Sequence, residues 1–128
     1  DYRNLAEFRH LLRRFLVFSE DAARQRGLTP QQHQALLALK GFGRNSSHTI
    51  GDLAGQLAIK HHSAVGLVDR LVKAKLVTRR SDPADRRRVT LDLTRDGEKL
   101  LADLSAAHRE ELRMLMPSLK SLFAKLER

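Results

Sequence analysis

The stretch LVTRRSDPADRRRVTLDL, residues 76–93, carries the signal on which the architecture turns. Its two arms, Leu76 to Arg80 and Arg88 to Leu93, are β-prone and partly alternate apolar with polar positions, while Ser81 to Arg87 between them is polar and turn-forming. The pattern predicts a two-stranded hairpin with a basic tip. Arg86, Arg87 and Arg88 place guanidinium groups where they can follow a phosphate backbone or enter a narrow, electronegative minor groove. Asp82 and Asp85 stand beside them, and a carboxylate weakens phosphate binding unless it fixes a guanidinium in one direction through a bidentate pair. The plainer alternative is an ordinary solvated Asp/Arg turn.

Immediately upstream, His61 to Lys75 carries Ala64, Leu67, Val68 and Leu71 at i, i+3, i+4 and i+7, the buried stripe of a helix. By subtraction His61, His62, Ser63, Val65, Gly66, Asp69 and Arg70 point outward, and the small or hydrogen-bonding residues near the helix start suit entry into a groove. Thr49 caps a preceding helix that runs through Leu57, and Ala58-Ile59-Lys60 separates the two. Such a pair makes a helix-turn-helix, whose second helix lies in the major groove with its N-terminal residues facing base edges. Helix pairs with short turns are also common as plain packing. A basic hairpin directly behind the second helix, in the position of a wing, favours DNA.

Farther upstream, Thr29-Pro30 opens a helix with Thr as N-cap, Pro at the first helical position and Gln32 close to the capping-box position. It is expected to run to about Lys40, with Gly41 and Gly43 to Ser47 read as a loop. The first helix spans Leu5 to Ala23 and is stopped by Gly27. Leu5, Phe8, Leu12, Phe15 and Leu16 form one apolar face and Leu11, Val17 and Phe18 a second flank, so this helix needs two partners, one of them plausibly another subunit. Thr94 to Gly97 resembles an N-cap and first turn, with Asp96 and Glu98 near the positive end of a helix dipole. Leu101, Leu104, Leu112, Leu115, Leu119, Leu122 and Leu126 then give a helix-pairing pattern, in which Pro117 is expected to break or kink the helix into a long and a short piece. The fold class is therefore mainly α with a small β-hairpin.

Composition agrees with a polyanionic partner. The 128 residues carry 24 Lys plus Arg against 15 Asp plus Glu, a formal charge of +9 and a pI near 10.8. No apolar run approaches the length of about 18 residues that would mark a membrane span, which leaves no membrane role. With no cysteine, disulfides, thiolate zinc sites and thiol-based redox sensing are excluded. His61 and His62, adjacent on a helix, diverge by about 100° and cannot both chelate one ion from one face. His10, His33, His48 and His108 have no short-range ligand partner, so neither metal nor cofactor is expected. There is no phosphate-binding Gly loop and no nucleophile elbow, which disfavours an enzyme. No export signal opens the chain at Asp1, and the function so indicated predicts a cytoplasmic protein.

The segment from Thr49 to Thr94 resembles the DNA-binding lobe of the MarR family of bacterial transcription regulators. From Asp85 the wing is similar to the family pattern D-x-R-x-x-x-V-x-L-T, with Leu91 where Val is usual. Leu67 to Val77 resembles the family's LVDRLexxGLV, departing at Lys75, where the helix-ending Gly is expected. The resemblance implies one MarR-type domain over residues 1–128, with a winged helix-turn-helix lobe at 29–94 and dimerisation helices at 1–27 and 95–128. It implies that the fourth helix reads the major groove through His62, Ser63, Val65 and Gly66, and that Arg87 enters the minor groove braced by Asp85. Gly66 stands where relatives often carry a longer polar or basic side chain, so base reading would lean on His61, His62, Ser63 and Val65. Lys60, Arg70, Arg79, Arg80 and Arg86 are then assigned to phosphates.

The family further implies a homodimeric repressor on double-stranded DNA with an inverted-repeat operator, released by a small aromatic or phenolic anion. Arg13, Arg14, Phe18 and His33 are the candidates for that pocket. The alternative is a winged-helix protein-interaction module without sequence-specific DNA binding.

Overall fold

A computed structural model of the chain describes residues 1–43 and 48–128. In chain order these form α1 (Tyr2–Gln25), α2 (Pro30–Phe42), α3 (Ile50–Leu57), α4 (His61–Lys73), β1 (Val77–Ser81), β2 (Val89–Leu93) and α5 (Arg95–Leu126). The expected loop at 44–47 lies outside the described residues.

Three threonines start helices by the same chemistry. Thr29 Oγ1 accepts from the Gln32 backbone N–H at 3.1 Å while Gln32 Oε1 accepts from the Thr29 N–H at 2.9 Å. Thr49 and Asp52 make the same reciprocal pair at 3.1 and 3.0 Å, and Thr94 Oγ1 accepts from the Gly97 N–H at 3.0 Å. Each cap satisfies helix-end donors that would otherwise lack a partner. Gly27 ends the first connection with φ +78, a conformation open to glycine because it lacks a Cβ. Gly41 does not end α2, which continues to Phe42 and is capped by Gly43.

Helix α4 stops at Lys73, two residues earlier than its sequence pattern suggested. Its end is a Schellman motif: the Leu76 N–H donates to Leu71 O at 3.0 Å and the Lys75 N–H to Val72 O at 2.9 Å. Lys75 takes the left-handed position at φ +64, so a lysine does here what glycine ordinarily does. Leu76 thereby belongs to the helix end, and the hairpin begins one residue later than expected. Its antiparallel register runs from Val77↔Leu93 to Ser81↔Val89. The wing is sewn to the α2–α3 connection by the Thr49↔Thr90 bridge and by the Leu91 N–H donating to His48 O at 2.8 Å.

One core gathers Leu28, Leu36, Leu53, Leu67, Val68, Leu71, Val77, Leu91 and Leu104 beneath the helix-turn-helix and wing. The root of α5 is fastened to the same turn. The Thr94 N–H donates to Leu76 O at 3.0 Å, Thr94 Oγ1 donates to Lys75 O at 2.8 Å, and a Cβ at Gly97 would stand only 2.2 Å from Leu76 O. Glycine at 97 is what lets α5 come this close.

A second cluster joins α1 to the far half of α5 through Leu11, Leu115 and Leu122, with Phe15 and Leu119 packed against it. It corrects the expectation at Pro117, since α5 runs as one helix from Arg95 to Leu126 with the proline inside. Leu115, Leu119 and Leu122 pack into the same cluster on both sides of Pro117. The proline itself faces solvent, where water can meet the Arg113 carbonyl that loses its N–H partner. Along α1, Leu5, Phe8, Leu12, Leu16 and Val17 stay exposed, as do Leu112, Met116, Phe123 and Leu126 on α5.

Candidate nucleic-acid interface

The buried stripe of α4 holds the helix against the core and turns its first two turns outward. Ala64, Leu67, Val68 and Leu71 are buried, His61, His62 and Ser63 are exposed, and Val65 and Gly66 are half-buried. Lys60 is the N-cap residue and makes no side-chain cap bond, since an ammonium can only donate and helix-start N–H groups need an acceptor. The outward set read from the sequence is therefore the outward set of the helix.

The basic residues of the wing differ in their engagements. Arg79 reaches back from β1 to an ion pair with Asp69 on α4, so its charge is spent between that helix and the wing. Arg80 lies 3.6 Å from Asp92 across the hairpin, and Arg88 Nε lies 3.9 Å from Asp82 Oδ2. These are exposed pairs of small energetic weight. The role of Asp69 was missed because its partner lies beyond the helix end, on another element.

At the tip the backbone folds tightly on itself. The Asp82 N–H donates to Arg88 O at 2.9 Å, the Asp85 N–H to Asp82 O at 3.2 Å, and the Arg88 N–H to Asp85 O at 2.9 Å. Both aspartates then use a side-chain oxygen on the main chain two residues ahead: Asp82 Oδ1 accepts from the Ala84 N–H at 2.9 Å and Asp85 Oδ1 from the Arg87 N–H at 3.0 Å. Asp85 thus holds Arg87 through its backbone, a different brace from the guanidinium pair that the sequence suggested. Arg86 and Arg87 remain exposed at the tip. Below it, Asp52 is held below its ordinary carboxylate range, first by the Thr49 N–H and, more weakly, by the nearby charge of Arg88.

The four residues expected to line a ligand pocket are divided. His33 lines a cleft of about 460 Å³ between α1, α2 and α5, with Phe15, Ser19, Leu37, His108 and Arg109. Arg13, Arg14 and Phe18 line a separate one of about 400 Å³ with His10 and Val17. The residue that organises the first cleft is His108. Its Nδ1 lies 2.7 Å from Leu104 O, which can only accept, so that nitrogen carries the proton, and its Nε2 lies 2.8 Å from Ser19 Oγ. Phe15 and Phe18 meet the ring edge-on at 5.7 and 5.4 Å, and His33 lies 4.8 Å away. Burial, then the neighbouring His108, hold His33 below the usual histidine pKa of 6.5. His108 stands 89 residues from Ser19, so no local pattern could have found this contact.

Among the described residues no three His, Asp or Glu side chains converge on a metal position, and no helix is long and apolar enough to cross a membrane. A profile described as MarR family matches residues 26–88. The chain is similar to the uncharacterized HTH-type transcriptional regulator YsmB of Bacillus subtilis, 35% identical over 94 residues, 73% of this chain and 62% of YsmB. It is 31% identical over 116 residues to the HTH-type transcriptional repressor NicR of Pseudomonas putida, covering 88% of this chain and 72% of NicR. The chain thus spans less than two thirds of YsmB. In structure it resembles MepR, a transcription regulator of the Staphylococcus aureus multidrug efflux pump MepA, with a TM-score of 0.83 at 23% identity over 99% of this chain and 94% of MepR. MepR in complex with DNA gives a TM-score of 0.72 at 22% identity over 93% and 90% of the two chains. With that profile, those relatives and five helices bearing a two-stranded wing among the described residues, the chain belongs to the MarR family of HTH-type, DNA-binding transcriptional regulators, which are not enzymes.

Proposed function

We propose that the chain acts in the cytoplasm as a homodimeric repressor on an inverted-repeat operator. Helix α4 lies in the major groove with His61, His62, Ser63 and Val65 at base edges, while Arg87 enters the adjacent minor groove. Lys60 and Arg86 meet phosphates, with Arg80 beside them. The observation that carries this reading is the wing tip, where two aspartates are consumed in holding the main chain and leave Arg86 and Arg87 exposed on a rigid turn. A tip whose main chain is already set loses little backbone freedom on binding.

Support for the dimer comes from the exposed apolar row Leu5, Phe8, Leu12 and Leu16 on α1 beside Leu112, Met116 and Phe123 on α5. An apolar surface of this extent is usual for a subunit interface and unusual for free solvent. Residues 1–27 and 95–128 would supply that interface and residues 29–94 the DNA-binding lobe. Support for an effector comes from the cleft at His33 and His108, apolar around Phe15 and Leu37 with the Arg109 cation at its side, which suits a small aromatic or phenolic anion. Binding there would bias the angle between α1, α5 and the lobe, and so the spacing of the two recognition helices.

Fluorescence anisotropy with a duplex selected from random sequence tests the reading. Arg87→Ala should weaken operator binding by about 1–3 kcal/mol while leaving thermal unfolding unchanged. Unchanged operator affinity would overturn the wing assignment. Salt-sensitive binding with no preference among duplexes would point instead to a basic module that does not read sequence. Light scattering at micromolar concentration should give a dimer, and a monomer would refute that part.

A further inference from the structure

We infer that Arg70 is a base-reading residue: its guanidinium occupies the space that Gly66 leaves on the groove face of α4 and recognises a guanine in each half-site. The inference rests on α4 lying in the major groove as proposed above. It departs from assigning Arg70 to a phosphate.

A Cβ built on Gly66 would stand 3.6 Å from Arg70 Nη1, so the guanidinium lies over the glycine one turn N-terminal to its own Cα. That is the direction in which long helical side chains lean. Ser63, Gly66 and Arg70 follow one another at i, i+3 and i+7 on the surface opposite the buried stripe of Ala64, Leu67, Val68 and Leu71. Gly66 is half-buried although it faces away from the core, as expected beneath a side chain folded across it. Glycine is among the poorest residues inside a helix, and here it gives a planar group room to lie close to the helix surface.

The charges around Arg70 leave it available. Asp69, the adjacent carboxylate, is occupied by Arg79 from β1, and the Arg70 guanidinium makes no hydrogen bond or ion pair with any described residue. Its five N–H donors in a fixed fork match the O6 and N7 acceptors that guanine presents side by side in the major groove. Because the head group is carried back toward His62 and Ser63, it joins the part of the helix that faces base edges. It supplies the long donor that position 66 lacks.

The test uses the full chain, a selected operator duplex and every single base-pair substitution of it, at several salt concentrations. Wild type should lose about five- to a hundred-fold in affinity when one particular G·C pair of each half-site is replaced. Arg70→Ala and Gly66→Leu should each erase that preference at that pair and keep the preferences elsewhere. Gly66→Leu is the sharper variant: it retains the arginine charge, leaves the salt slope as in wild type, and improves helix propensity while displacing only the flexible end of Arg70. Arg70→Lys, charged but without the fork, should not restore the preference.

The inference is overturned if Arg70→Ala weakens every duplex equally and lowers the salt slope by about one, the signature of a phosphate contact. It is also overturned if Gly66→Leu keeps the guanine preference. A wild type without preference at any base pair would overturn it together with the placement of α4, a different pattern from loss confined to Arg70.

Discussion

Lys75 and Asp85 are single residues whose backbone settings matter more than their charges. At Lys75 a side chain is held at φ +64, where a Cβ crowds the following carbonyl. Lys75→Gly should therefore stabilise the fold by about 0.5–1 kcal/mol, read as a higher denaturation midpoint at unchanged slope. A loss of stability would mean that the lysine side chain does more at the α4 terminus than the backbone geometry shows. Asp85 accepts from the Arg87 N–H, a bond that asparagine can reproduce without charge. Asp85→Asn should keep operator affinity, whereas Asp85→Ala should weaken it toward the level of Arg87→Ala. If asparagine is as damaging as alanine, the brace on Arg87 is ionic.

Helices and strands meet at two junctions that decide how the lobe is held. The first is the α4–β1 turn against the start of α5, where Gly97 admits the Leu76 carbonyl. Gly97→Ala drives a methyl into backbone and should cost about 1–3 kcal/mol or more, visible as a lowered melting temperature. A neutral result would show that α5 can slide away from the turn. The second is the α1–α2–α5 junction at His33 and His108. Because burial depresses the His33 pKa, the unfolded chain binds more protons than the folded one once the pH falls below the ordinary histidine value of 6.5. Stability is thus full above that value and is lost as the pH falls through the lowered folded pKa. His33→Leu should flatten the fall in melting temperature between pH 7 and pH 5, and an unaltered slope would assign it to other groups.

Elements set by neighbours in sequence were legible without coordinates. Thr29, Thr49 and Thr94 announced three helix starts, the α4 stripe fixed its buried face, and Ser81 to Arg87 announced the turn of the wing, which lies one residue farther along at both ends. What depended on tertiary packing was not legible. Pro117 reads as a breaker until Leu115 and Leu122 are seen to clamp the helix on both sides of it. The Asp69–Arg79 pair spans ten residues across a turn whose left-handed residue is a lysine, and the contact between His108 and Ser19 spans 89. The resemblance offered Arg13, Arg14, Phe18 and His33 for one pocket, whereas Arg13 and Arg14 line a cleft beside the one at His33, with Phe18 between them against His108.

Across the whole molecule, an excess of nine positive charges supports attraction to DNA of any sequence, while on the proposed reading the exposed surfaces of α4 and the wing supply choice. On the same proposed reading the exposed apolar faces of α1 and α5 pair two lobes. If they do, the bound sequence must mirror the two-fold symmetry of the protein, with half-sites about 10 base pairs apart or a multiple of that. Selection of duplexes from a random pool by the purified chain, followed by sequencing, measures this directly. The account predicts enrichment of an inverted repeat with one fixed spacing, and recovery of unrelated sequences at equal frequency would contradict it.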